Sequence, residues 1–197
     1  MVRIAILASG SGTNAEKLME HFNGHPFVEV ALLGCDRAKA GVVQRAWDHH
    51  VPSYLFNGAQ LQGGALLDEL ENFHIDLVVL AGFMRLIPSD MVRAYPDRII
   101  NIHPSLLPKY GGKGMYGGLV HEAVLAAGER ESGITIHLVN ERYDEGRVLF
   151  QARCPVLSTD DGAALAHRVH ALEHAHYPTV VEAHAELLGK VDRSVQG

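Results

Sequence analysis

Three short, continuously apolar runs, Arg3 to Ala8, Val28 to Gly34 and Asp76 to Ala81, are separated by stretches of helical periodicity, and this alternation constrains the fold most. A strand that is apolar on both faces has to be covered on both, which a parallel sheet with helices above and below achieves. The helical stretches are Ala15 to Phe22, Gly41 to His50 and Leu61 to Phe73, with short strands at Ser53 to Phe56 and Arg98 to Asn101. After Asn101 the pattern changes. Leu119 to Ala127 reads as a helix, Gly133 to Val139 and Val148 to Pro155 as two longer strands, and Asp161 to Leu188 as a long helix with a break expected at Pro178. The expected class is α/β: a Rossmann-like, mostly parallel sheet flanked by helices, with an antiparallel C-terminal extension. At 197 residues, one domain over 1–197 is the default, with a nucleotide- or phosphate-binding half (1–100) followed by a catalytic half (101–190). The tail from Asp192 to Gly197 reads as disordered.

Composition narrows the partners. Lys+Arg 17 against Asp+Glu 23 gives a net charge of -6, which argues against a nucleic-acid surface. No apolar run approaches the ~20 residues that span a bilayer. Val2 to Ala8 is too short, and too soon followed by glycine, to be a signal peptide. Cys35 and Cys154 flank apolar stretches and read as two reduced thiols, so a cytoplasmic protein acting on small molecules is expected. A homodimer is compatible with this reading.

Two segments carry most of the chemistry. Asn101-Ile-His103-Pro-Ser-Leu-Leu-Pro108 puts an amide and an imidazole at a strand end, where open α/β sheets keep their sites. Asp144-Glu-Gly146 adds a carboxylate if the segments meet in the fold. An amide donor and a proton-carrying imidazole suit an acyl-type transfer, in which negative charge develops on a carbonyl oxygen, and a carboxylate beside them can tune the imidazole. By itself, Asp144 would read as an ordinary turn residue.

Ser9-Gly-Ser-Gly-Thr-Asn14 follows the first strand and opens the first helix, a natural anion site with oriented N–H groups. A tight strand-to-helix turn would need the same glycines. Read as Gly10-x-Gly12-x-x-Ala15, with Asp36 ending the second strand, the loop also fits a dinucleotide fingerprint. That makes a nicotinamide-dependent oxidoreductase the competing class. Gly112-Lys-Gly114-Met-Tyr-Gly117 matches the same pattern but follows no strand. His170-Ala-Leu-Glu173-His174 fits an inverted zinc-peptidase motif, yet a third ligand is lacking nearby and no metal is expected.

Taken in order from about residue 3 to about residue 185, the Ser9 to Asn14 loop, the Asn101 to Pro108 motif and Glu173-His-Ala-His-Tyr-Pro178 resemble the enzymes that transfer a formyl group from 10-formyltetrahydrofolate. The resemblance is greatest to those whose acceptor is the amine of glycinamide ribonucleotide, in purine (IMP) biosynthesis. It implies Asn101, His103 and Asp144 as catalytic residues, with Asn101 and a protonated His103 on the oxyanion and Asp144 supporting the charged histidine and assisting proton transfer from the amine to N10. It also implies Gly12, Thr13, Asn14, His170 and Glu173 as contacts of the ribonucleotide, with His174 structural. The backbone of Met84, Arg85, Leu86 and Ile87 would face the pterin of the folate, beside Asn101 and Asp144. Residues 101–190 would then be the catalytic and folate-binding half, with 10-formyltetrahydrofolate as co-substrate. His137 and Thr135 follow as secondary candidates.

Two features depart from that pattern. Gln62-Gly63-Gly64 offers no arginine for the folate's glutamate tail. Gly111 to Gly118 is rich in glycine and longer than the family's commoner form; it reads either as a lid, with Lys113 and Tyr116 as the side chains suited to a phosphate or a ring, or as a solvent-exposed insertion without a role. Other acceptors used in the family, methionyl-tRNA and sugar nucleotides, go with an additional domain after the catalytic one, and the hydrolases with one before it. Neither is expected here.

Overall fold

The computed structural model describes residues 1–195, with side chains to Lys190. Its first strand, β1 (Val2–Ala8), is followed by α1 (Thr13–Phe22), β2 (Val28–Cys35), α2 (Gly41–Asp48) and the short β3 (Ser53–Leu55). Then come α3 (Gly58–Gln62), α4 (Ala65–Asn72), β4 (Leu77–Leu80), α5 (Ser89–Ala94) and β5 (Ile99–His103). The chain ends with α6 (Gly118–Ala126), β6 (Glu131–Leu138), β7 (Val148–Pro155) and α7 (Gly162–Val195).

All the strands join one seven-stranded sheet in the order β3-β2-β1-β4-β5-β6-β7. The pairs from β3 to β5 are parallel, and β5–β6 and β6–β7 are antiparallel, as the sequence pattern predicts. Side chains alternate along β1, so Ile4, Ile6 and Ala8 enter the core under α1 and α7 while Ala5 and Leu7 enter the core under α4 and α5. Each such Leu or Ile contributes roughly 1.5–3 kcal/mol through burial, and this two-sided demand is what the continuous apolar runs encode.

Between β1 and β4 the sheet order reverses direction. Such a switch point opens a crevice beyond the carboxyl ends of the strands. Tyr177 of α7 is fully buried and donates its phenol proton to the Leu80 carbonyl at 2.8 Å, which fastens α7 to the carboxyl end of β4.

Local departures from the sequence reading have local causes. The helix expected over Leu61 to Phe73 is two, because Gly63-Gly64 interrupts it and Asn57 caps a separate first segment with its side chain. Helix α5 was not expected, since six residues are too short to show a helical period. Pro178 does not break α7. Of the tail expected to be disordered, α7 continues to Val195 and residues 196–197 lie outside the described residues.

Candidate active site

A cavity of about 630 Å³ lies at the switch point, lined from both halves of the chain. Gly12 to Asn14, Met84 to Ile87, Asn101, His103, Lys113, Tyr116, His137, Asp144, His170 and Glu173 all border it, whereas Thr135, the other secondary candidate, is fully buried with its hydroxyl bonded to Ser105 and Leu107 and does not line it.

The chemistry is densest where β5 ends. Asn101 and His103 alternate with the buried Ile100 and Ile102 and so project on one side of the strand. Across the antiparallel seam the register partners are His137 for Asn101 and Thr135 for His103. Asp144 sits in the loop between β6 and β7 with a left-handed backbone (φ 55), a conformation that Asp tolerates better than most residues. Its Oδ2 lies 3.6 Å from His103 Nδ1 and accepts the Gly112 N–H at 2.9 Å.

Hydrogen-bond partners assign the proton positions. His103 Nε2 is 2.7 Å from the Tyr110 carbonyl, which can only accept, so Nε2 carries the proton and Nδ1 is left facing Asp144. His137 Nδ1 likewise meets the Leu138 carbonyl at 2.9 Å, which leaves its Nε2 to accept an Asn101 amide N–H at 3.1 Å. The second amide N–H of Asn101 reaches Asp144 Oδ1 at 3.4 Å, a long and weak bond.

Burial pushes the His103 imidazole below its ordinary pKa, and the charge of Asp144 and the Tyr110 carbonyl only partly offset this. That burial works against the charged ring expected on the oxyanion, while Asp144 and the Tyr110 carbonyl favour it. For Asp144, burial pushes upward, but the proximity of the His137 and His103 rings and the Gly112 N–H outweigh it and hold the carboxyl below its usual range.

At the opposite end, Gly12 precedes α1 in a left-handed conformation (φ 82), and an added Cβ would sit 2.4 Å from Val42 Cγ2. The loop is braced from behind by Val42 N–H to the Gly10 carbonyl and Arg45 Nε to the Ser11 carbonyl. Asn14 turns its amide to Glu173 Oε2 at 2.8 Å, while its Oδ1 is buried without a partner. Glu173 is 5% exposed, and burial raises its pKa against the opposing Asn14 hydrogen bond. His170 is half exposed, 3.9 Å from Glu173.

The Met84 to Ile87 loop shows a more mixed picture. Met84 donates its N–H to Ser9 Oγ at 3.1 Å, which joins this loop to the Gly12 loop and takes one donor away from any ligand. Arg85 pairs through Nε with Asp36 Oδ2 at 2.6 Å, its guanidinium lying over Gly58. Asp36, the acid a dinucleotide ribose would need, is thus buried beneath an arginine.

The zinc-peptidase motif is not assembled as such. His170 and His174 stack with centroids 6.4 Å apart, but Glu173 is turned to Asn14. Glu16, Glu20 and His49 are the one cluster with metal-ligand spacing among the described residues, and Arg45 and Lys17 already pair with its carboxylates. No described helix is long and apolar enough to cross a membrane. Cys35 and Cys154 are buried free thiols, as expected.

His121 escaped the sequence reading. It lies on α6, is 2% exposed, borders the cavity and has a buried Nδ1 without a partner. Its only sequence signal is its place in the first turn after the glycine-rich loop.

Residues 2–181 match the family model described as formyl transferase. A Vigna unguiculata protein named phosphoribosylglycinamide formyltransferase, chloroplastic, is 43% identical over 190 residues, 93% of this chain and 61% of that protein. This chain thus spans about three fifths of that relative's length. The phosphoribosylglycinamide formyltransferase of Bacillus subtilis (strain 168) is 35% identical over 98% of both chains. Among solved structures, glycinamide ribonucleotide transformylase 1 from Symbiobacterium toebii superposes with a TM-score of 0.87 at 36% identity, covering 94% of this chain and 88% of that one. With a family match over nearly the whole chain and the same fold in its relatives, this protein belongs to the formyl transferase family.

Proposed function

We propose that this chain transfers the formyl group of 10-formyltetrahydrofolate to the amine of 5-phosphoribosylglycinamide, a step of purine (IMP) biosynthesis, as a single domain. Its substrates are then small molecules and its place is the cytoplasm. The observation that carries the reading is the convergence of Asn101, His103 and Asp144 on one cavity whose far end is the glycine loop before α1.

The acceptor amine attacks the formyl carbon, the carbonyl π bond becomes an oxyanion, and the new C–N bond leaves a positive charge on the amine. His103 Nδ1, unprotonated at rest, takes the surplus amine proton, and Asp144 balances the resulting imidazolium. Asn101 gives up its 3.4 Å contact with Asp144 to donate that N–H to the oxyanion, while its bond to His137 keeps the amide oriented. Collapse of the adduct breaks the bond to N10 of the folate, and the imidazolium returns its proton there.

At the other end, Gly12, Thr13 and Asn14 at the start of α1 take the phosphate, and Glu173 with His170 takes the ribose and amine end. The Met84 to Ile87 loop takes the pterin, with only part of its backbone free for it. Gly111 to Gly118 closes over the nucleotide and brings Lys113 to the phosphate.

A formyl-transfer assay with glycinamide ribonucleotide, methionyl-tRNA and water as separate acceptors tests the reading. Release of tetrahydrofolate with the ribonucleotide alone, inhibited competitively by inorganic phosphate, is expected. Turnover with water or tRNA but not with the ribonucleotide would overturn it.

A further inference from the structure

The catalytic pair is held by a strap that begins outside the cavity. Glu129, just beyond α6, accepts hydrogen bonds at one oxygen from the Tyr110 phenol (2.9 Å) and from Lys109 Nζ (2.7 Å). Tyr110 has a left-handed backbone (φ 57), a conformation a bulky residue rarely keeps unless its surroundings impose it. That conformation turns its carbonyl onto His103 Nε2. Two residues on, Gly112 N–H holds Asp144. Between them Gly111 packs so closely that an added Cβ would lie 2.5 Å from Leu107 Cδ2 and 3.2 Å from Asp144 Cβ. Residues 109–112 therefore touch both members of the pair, and Glu129 is their anchor.

We propose that Glu129 is a positioning residue for His103: by holding the Tyr110 phenol it fixes the carbonyl that receives the Nε2 proton, and so keeps Nδ1 turned to Asp144. The inference rests on reading His103 as the proton carrier. Groups facing that ring are Asp144 from the loop after β6, His137 from β6 and His121 from α6. Of its contacts, the Tyr110 carbonyl and Asp144 favour the charged ring; the carbonyl belongs to the residue that Glu129 holds, and Asp144 is reached from the strap only through Gly112 N–H.

The test uses Glu129→Ala, Tyr110→Phe and Glu129→Gln in the full-length protein. Either of the first two is expected to lower kcat about tenfold with both KM values within about twofold, as for one lost hydrogen bond to a group that becomes charged. The His103 titration midpoint, followed by ring NMR without substrates, is expected to fall, because a loosened carbonyl supports the imidazolium less. Glu129→Gln still offers an oxygen to the phenol and is expected to keep kcat within about twofold of the parent. Tyr110→Phe removes only the phenol oxygen, so it answers the question if Glu129→Ala does not fold. An unchanged kcat and an unchanged His103 midpoint, even with a lowered Tm, would overturn the proposal. If the parent shows no formyl transfer, the midpoint alone still decides whether the strap sets His103.

Discussion

Asn101 donates an amide N–H to His137 Nε2 at 3.1 Å, directly across the antiparallel seam on which the two residues are register partners. The bond determines which way the amide faces, since the bare ring nitrogen can only accept and the carboxylate of Asp144 on the other side can only accept. Both neighbours therefore point the amide nitrogen, not its oxygen, at the reaction centre. The N–H on Asp144 is held by the longer and weaker of the two bonds, so it is the one that passes to an oxyanion at small cost, while the bond to His137 keeps the amide aimed.

Replacing His103 by Ala or Asp144 by Asn is expected to lower turnover by roughly 100-fold or more, because each acts on charge that exists only during reaction. Binding of the folate, measured by calorimetry, is expected to stay within about threefold, since neither group acts by uniform binding. Near-parent turnover in either variant would remove it from the mechanism.

The pH profile of kcat follows from burial. The neutral form of His103 accepts the amine proton, and burial lowers its pKa from 6.5, so the acid limb is expected to have its midpoint below 6.5. Asp144, held below its ordinary range, stays ionised across that limb. The same shift affects stability: the unfolded chain takes up this proton first, so the His103 contribution is complete above the unfolded pKa and is lost as pH falls through the folded one. An acid limb with its midpoint above 6.5 would contradict the burial of the ring, and activity that instead falls as pH rises through this range would mean that the protonated ring is the working form.

Lys113→Ala is expected to raise the KM for the ribonucleotide while leaving that for the folate nearly unchanged. Protease cleavage within Gly111 to Gly118 is expected to slow when the ribonucleotide is added, as for a loop of high conformational entropy ordered by its ligand. Equal cleavage with and without ligand, together with an unchanged KM, would leave residues 113–118 without a role in closing over the nucleotide.

Gly12→Ala combines a left-handed backbone with a methyl group placed 2.4 Å from Val42 Cγ2. A loss of about 2–4 kcal/mol is expected from the backbone and overpacking terms together, read as a lowered urea midpoint. Because the loop carries the anion site, KM for the ribonucleotide is expected to rise as well. Parent stability would show that α2 can retreat from the loop.

The alternation of apolar runs and helical stretches determined the order of elements, the parallel half and the antiparallel end, because burial on one or two faces is written in spacings of two to four residues. Glycines before α1 and the Asn101 to Pro108 motif were legible for the same reason: each is a contiguous segment tied to a strand end. Where two short-range signals compete, as at Gly63-Gly64 and Pro178, the sequence misled on whether a helix runs on, since packing of neighbours decides that. The relationships that make a site join residues far apart in the chain: Asn14 with Glu173, Asp36 with Arg85, Tyr110 with Glu129. None has a spacing that shows in the sequence. Tertiary structure alone decided these pairings, and with them the lowered pKa of His103, because the burial that lowers it, and the Asp144 carboxylate that opposes it, exist only once the sheet order has brought β5, β6 and the strap together.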